Sequence, residues 1–322
     1  MRENKKFTFI DLFAGIGGFR IAMTNTGGEC LYTSEWDKYA QITYAANFKE
    51  KPHGDITKIE ENDIPAHDVL CGGFPCQAFS ISGKQRGFED TRGTLFFDIA
   101  RIAKYHKPKI LFLENVKNFA RHDGGKTLKV VLETLDTIGY DVYHEVMNAS
   151  HYGAPTARKR IYIVAFRKDL FVTGFEFPKP TLQPVILGDL LEQVVAEKYF
   201  IRRDDIKLEN KRREIDTLIP LHKLGCERIG TIGGGGQGER IYSIKGHAIT
   251  LSAYGGGAAA KTGAYLVDNG VRKLTPRECA RVMGYPDTFL IPVPDTQAYK
   301  QFGNSVALPV ITAIANKIIK YL

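Results

Sequence analysis

Short apolar runs, each cut off by glycine or by a polar turn, set the frame of this chain. Residues 7–13, 30–34, 68–71, 108–116 and 161–166 have the length and the β-branched or aromatic content of buried strands. Between and beside them lie stretches with helical spacing, a short one at 20–23 and longer ones at 94–104 and 126–137. Strands and helices therefore alternate to about Phe166, which predicts an α/β fold with a mainly parallel sheet of the Rossmann-like kind. After Phe177-Pro178-Lys179-Pro180 the alternation stops, and residues 198–213 are rich in charge. Two glycine clusters, at 233–240 and 254–257, flank the strand pattern Ala248-Ile249-Thr250-Leu251-Ser252. A smaller, irregular β-rich domain is expected there. The pattern then returns to helices around 276–283 and from about 309 to 321, with Asn304 or Ser305 expected to cap the last one. The expected division is a larger domain over 1–187, completed by 300–322, a smaller one over 188–275, and a hinge over 276–299.

Polar groups gather where these strands end, and in open α/β sheets that edge is where ligands sit. Leu70-Cys71-Gly72-Gly73-Phe74-Pro75-Cys76-Gln77 runs from a strand into a turn and presents Cys76 just after a proline. A buried structural cysteine is the plain alternative. The next strand ends in Glu114-Asn115, and Arg158 and Arg160, at alternate positions, precede the one after that and share a face. A cysteine nucleophile, a carboxylic acid and two arginines suit attack on an electron-poor ring that must be protonated as it accepts charge. Residues 79–93, with three basic side chains and several glycines, read as a loop able to close over a polyanion, or as an ordinary surface loop.

The first strand leads through Ala14-Gly15-Ile16-Gly17-Gly18 into helix, and Glu35 follows about twenty residues after Gly15. That is the position from which an acid meets a ribose hydroxyl, and Trp36, the only tryptophan, can stack on a purine. Asp55 offers a second acid, either at a strand end or as the N-cap of the next segment. The Gln and Arg side chains within the first glycine cluster are the types that read adenine and guanine edges.

Composition narrows the class without naming a substrate. The 322 residues are 43% hydrophobic, enough for a large core, and Lys+Arg 44 against Asp+Glu 36 gives +8, which favours a polyanionic partner. The five cysteines, Cys30, Cys71, Cys76, Cys226 and Cys279, form no C-x-x-C pair, so neither a zinc site nor a disulfide framework is indicated. Residues 1–6 lack a signal-peptide pattern and no long apolar run is visible, so a cytoplasmic protein is expected.

Six ordered motifs make the chain recognisable. Residues 13–18, Pro75-Cys76-Gln77, Glu114-Asn115-Val116, Arg158-Lys159-Arg160, Arg277-Glu278-Cys279-Ala280-Arg281 and Gly303-Asn304-Ser305-Val306 resemble, in order and spacing, those of the bacterial DNA cytosine-5 methyltransferases. The resemblance implies S-adenosyl-L-methionine held by Phe13, Ile16, Gly18, Glu35, Trp36, Asp55, Ile56, Pro75, Leu95, Asn304, Ser305 and Val306. It implies double-stranded DNA as substrate, with Ser82, Gln237, Arg240, Thr250, Tyr254, Gly255 and Gly257 on the nucleic acid. Cys76 would be the nucleophile, Glu114 the acid, Arg158 the holder of the base or its phosphate, and Arg160 a support for Glu114. The target cytosine would be flipped from the duplex, and the likeness of segments 235–243 and 250–257 to the recognition loops of a family member implies GCGC as the site, methylated at its inner cytosine. The same resemblance implies a monomer of a restriction-modification system, whose cognate endonuclease forms no stable complex with it, and requires neither metal nor membrane. Two departures are Thr156, where the family pattern has glutamine, and Gly234, where a related sequence carries lysine. An RNA cytosine-5 methyltransferase and a catalytically silent DNA-binding protein are the alternatives; a nicotinamide dehydrogenase would leave the cysteine segment unexplained.

Overall fold

The computed structural model describes residues 7–75, 95–181, 185–209 and 225–322. The first half builds a six-stranded sheet from β1 (Phe7–Leu12), β2 (Gly28–Ser34), β3 (Val69–Gly73), β4 (Ile110–Val116), β5 (Tyr140–Asn148) and β6 (Lys159–Arg167), in the order β2-β1-β3-β4-β6-β5. The β1–β2, β1–β3 and β3–β4 pairs are parallel, while β6 runs antiparallel to both β4 and β5. The mainly parallel sheet is therefore as expected, and β5 and the reversal of β6 are additions to it. Alternation along β1 feeds two helix layers. Phe7 and Phe9 join the core shared with α1 (Gly18–Asn25) and α7 (Leu308–Ile318), and Ile10 and Leu12 join that of α3 (Leu95–His106) and α4 (Lys126–Thr137).

A second sheet of five strands, in the order β11-β10-β9-β8-β7, uses β7 (Ile206–Leu208), β8 (Arg228–Ile232), β9 (Arg240–Ser243), β10 (Ala264–Val267) and β11 (Gly270–Lys273). Its own core is small, made of Ile232, Ile241, Ala259, Ala264 and Val271. Tyr242, Leu251 and Tyr265 pack instead into the larger core that contains α1 and α7, so the two sheets share apolar support. The segment 248–252 forms no strand ladder; a single bridge joins Ala248 to Thr156.

Residues 276–299 are not an open connection. They hold α5 (Pro276–Val282) and the start of α6 (Asp295–Asn304), and Glu278 is fully buried against Arg272, with both ion-pair distances 2.7 Å. Asn304 ends α6 and Ser305 is its C-cap, whereas α7 starts after Ala307 with no side-chain cap. The expected capping role therefore fails, because the turn carrying both residues closes one helix before the next begins. The apolar stretch 295–321 is long enough to cross a membrane by composition, yet it is broken between α6 and α7 and 56% buried within the fold.

Candidate active site

The chain passes from β1 outward to β2 and then back across to β3, so β1 and β3 are a topological switch point, and a crevice opens beyond their carboxyl ends. A cavity of about 540 Å³ lies there. Phe13 enters it directly from β1 with φ 57°, a left-handed conformation uncommon for a bulky side chain and of the strained kind found at ligand sites. The turn after Phe13 must be glycine at Gly18, because a Cβ there would lie 2.4 Å from Val306 Cγ2. This is how the first helix and the 303–306 segment close one wall.

All twelve residues expected to hold a cofactor line this cavity: Phe13, Ile16, Gly18, Glu35, Trp36, Asp55, Ile56, Pro75, Leu95, Asn304, Ser305 and Val306. Glu35 is buried and accepts Gly15 N at 2.8 Å and Asp37 N at 2.7 Å, one on each oxygen. Burial pushes its pKa up, opposed by those two N–H donors. Each oxygen keeps a lone pair for a further donor. Trp36 is 77% exposed, a large indole on the rim. Asp55 is no strand end: its Oδ1 caps a short 3₁₀ turn by accepting Thr57 N at 3.1 Å.

Glu114, two residues before the end of β4, lines the same cavity as Pro75 and is only 7% exposed. Burial raises its pKa, with Arg160 and then Arg158 pulling the other way. Arg160 Nε is 3.1 Å from Glu114 Oε1, an ion pair by distance, although Oε1 lacks a partner in hydrogen-bonding geometry. That contact sets the Arg160 guanidinium against the Glu114 carboxylate. Arg158 differs from expectation. It is 2% exposed and donates to the carbonyl oxygens of Gly303 at 3.1 Å and Ser305 at 2.5 Å, with Leu251 O at 3.5 Å. Those carbonyls occupy the fork that was expected to hold a base or phosphate.

Cys76 and Ser82 lie outside the described residues. Gln237 is exposed at the start of a 3₁₀ turn, and Arg240 opens β9 half-buried, its Nε without a partner. Thr250 donates its hydroxyl to Ala157 O at 2.9 Å, an internal contact where a phosphate contact was expected. Tyr254 is 72% exposed and reaches the cavity rim, while Gly255 and Gly257 have φ of 146° and 107°. Three polar groups of the site, Asp37, Lys300 and Tyr285, escaped the sequence reading, whereas Asn115 was read only as a polar group at a strand end. Asn115 donates to Phe74 O at 3.0 Å and so ties β4 to the segment before Pro75. Lys300 pairs with Asp37 at 2.6 Å across the cavity rim, and Tyr285 Oη is 2.5 Å from Ser305 Oγ. Only Asn115 carried a signal, its place beside Glu114 at a strand end.

A crevice at the switch point, a ribose-type acid and a buried carboxylic acid facing it define a nucleoside-cofactor enzyme. The pattern of the C-5 cytosine-specific DNA methylase family matches residues 7–320, and the chain belongs to that family. It is 57% identical over 311 residues to the type II methyltransferase M.HhaI of Haemophilus parahaemolyticus, covering 96% of this chain and 93% of that one. It is 48% identical over 330 residues to M.HpaII of Haemophilus parainfluenzae, covering 99% and 90%. A DNMT2 protein of Spodoptera frugiperda shares the fold, with a TM-score of 0.74 at 20% identity over 98% of this chain and 99% of that one. The protein is thus a DNA cytosine-5 methyltransferase, with S-adenosylmethionine as methyl donor.

Proposed function

We propose that the protein is the modification enzyme of a type II restriction-modification system, acting as a monomer in the bacterial cytoplasm on the inner cytosine of GCGC. The observation that carries the chemistry is Glu114, a buried acid of raised pKa that faces the same cavity as Glu35 and Asp55. S-adenosylmethionine, when bound, supplies an electrophilic methyl group on a sulfonium. Its fit rests on the donor set: Glu35 for the ribose hydroxyls, the second oxygen of Asp55 for the adenine amine, and Trp36 for the purine face. The remaining lining residues, from Phe13, Ile16 and Gly18 through Pro75 and Leu95 to Asn304, Ser305 and Val306, shape the walls.

The cytosine must leave the duplex before its C5 and C6 are reachable. The Cys76 thiolate then adds to C6, forming a C–S bond, while protonated Glu114 donates to N3 and neutralises the electron pair pushed into the ring. Arg160 keeps Glu114 in place through the 3.1 Å contact. C5 would then be nucleophilic towards the methyl group that the bound donor would supply, with S-adenosylhomocysteine as the leaving group; loss of the C5 proton and expulsion of the Cys76 thiolate would restore the aromatic ring. Residues 1–187 with 300–322 would carry this chemistry and 188–275 would read the target. There Gln237 fills the space left by the base, Arg240 reads a guanine, and Tyr254, Gly255 and Gly257 complete the reading surface. Ser82 would approach from the minor groove. A cognate endonuclease would share the site without a stable complex.

The test is protection of plasmid DNA from a GCGC-cutting endonuclease, together with methyl transfer to duplex DNA or transfer RNA. Protection lost in Cys76→Ala supports the scheme. Full cleavage of DNA that is methylated elsewhere refutes the target alone, and transfer only to RNA refutes the substrate.

A further inference from the structure

Three segments far apart in sequence meet on one guanidinium. Arg158, at the entry to β6, holds Gly303 O at 3.1 Å and Ser305 O at 2.5 Å; these carbonyls flank Asn304 on the cavity wall. The same Nη1 lies 3.5 Å from Leu251 O. Around that contact the backbone is stitched: Ala157 N donates to Ala248 O at 3.0 Å, Ala248 N to Pro155 O at 2.7 Å, and Thr156 Oγ1 to Ile249 O at 3.1 Å. The 303 turn touches the same segment directly, since a Cβ on Gly303 would lie 2.3 Å from Ala253 N. Three residues beyond Leu251, Tyr254 reaches the cavity rim, and the glycines after it meet Gly238 of the first glycine cluster.

Among the described residues no carboxylate hydrogen-bonds to Arg158, and its Nε is unpartnered. A buried cation is costly unless it is hydrogen-bonded, and here backbone carbonyls alone meet that need. The planar fork of an arginine can hold several carbonyls in fixed relation, which a lysine ammonium cannot reproduce.

We propose that Arg158 is a positioning residue that couples target engagement to the cofactor pocket, by holding the 251 segment and the 303–305 wall on one side chain. The inference rests on the DNA methyltransferase reading. DNA that engages Tyr254 and the glycines after it bears on the Leu251 carbonyl three residues away, and through the guanidinium on the wall formed by Gly303, Asn304 and Ser305. Linkage makes the effect reciprocal: DNA tightens cofactor binding by the same factor as cofactor tightens DNA binding.

The probe is S-adenosylhomocysteine, unreactive in methyl transfer, titrated with and without a duplex containing the sequence that the wild-type enzyme methylates. The wild type is expected to show coupling of about tenfold. Arg158→Lys keeps the charge and is expected to bring the factor to about one, with affinity for either ligand alone reduced much less. Thr156→Val, which removes the neighbouring bond to Ile249 O, gives a partial loss and carries the test should Arg158→Lys fail to fold. Full coupling in a folded Arg158→Lys, or equal loss of cofactor affinity with and without DNA, overturns the proposal. So does a wild type that methylates DNA yet shows no coupling. Absence of methyl transfer to DNA by the wild type would instead refute the parent reading.

Discussion

Asp11 offers the most quantitative test of how this fold supports its site. It sits on β1, on the face it shares with Phe9, fully buried, and among the described residues neither carboxylate oxygen has a side-chain hydrogen-bond partner. Burial pushes its pKa from the ordinary 3.8 up to about 8, against the pull of Arg20. A group whose folded pKa is raised binds its proton more tightly when folded. Its contribution is therefore complete below the unfolded pKa of 3.8 and lost as pH climbs towards about 8. Within that window each pH unit costs about 1.4 kcal/mol, or about 3 kcal/mol between pH 5 and pH 7. Asp11→Asn preserves shape and abolishes the titration. Urea unfolding of both proteins at pH 5, 6 and 7 isolates the effect, because every other titrating group is common to the pair. The variant should gain about 3 kcal/mol on the wild type across the interval. Stability curves that stay parallel, their difference constant to within about 0.5 kcal/mol, would refute the assignment of a buried neutral acid.

Other substitutions address the chemistry and the reading surface. Glu114→Gln should lower turnover by about two to four powers of ten with cofactor affinity little changed; single-turnover rates and a cofactor titration separate the two, and equal losses would move Glu114 into the cofactor site. A Cβ on Gly238 would lie 2.4 Å from Gly256 O, whereas one on Gly256 meets nothing within 4 Å. Gly238→Ala should therefore raise the KM for DNA and weaken sequence discrimination while Gly256→Ala does neither, as measured on cognate and single-mismatch duplexes; equal effects would show that the loop crossing is immaterial. Arg240→Ala should relax discrimination at one guanine by about 1–3 kcal/mol, without an even loss across all sequences.

The strands that were easiest to read are those buried on both faces, since a short unbroken apolar run bounded by turn residues suits a strand covered by helices on each side. β1, β3 and β4 are of this kind, and their ends correctly marked where polar groups would gather. β5 was missed because it is an edge strand whose His144, Glu145 and Val146 are all exposed, so no apolar run betrays it. The 248–252 segment misled in the opposite way. Its β-branched and apolar side chains do find a core, through Ala248 and Leu251, but its backbone hydrogen bonds go to 155–157 and 261 rather than to a neighbouring strand. Arg158 was legible as a site residue but not as a clamp on backbone carbonyls, because residue type tells what a side chain can donate and only tertiary packing decides which acceptors arrive. Lys300 and Tyr285 meet the site across long sequence separations, through Asp37 and Ser305 respectively, and nothing local to either marks it.

The reversal of β6 links the topology to the chemistry. In parallel strands the carboxyl ends share one edge, so Gly73 and Glu114 stand side by side there. A further parallel strand would have left the residues before its start at the opposite edge, far from Glu114. Because β6 runs antiparallel to β4, its beginning falls beside the end of β4, and Arg160 pairs in register with Val116. Arg160 and Glu114 are then diagonal neighbours on one face, close enough for the 3.1 Å contact. Arg158, two residues earlier, lies just beyond the sheet edge, where the 251 segment and the 303–305 turn converge. One change of strand direction thus brings Glu114, Arg160 and Arg158 to a single edge. The two arginines, set at alternate positions, are divided between the Glu114 carboxylate and the carbonyls of Gly303 and Ser305.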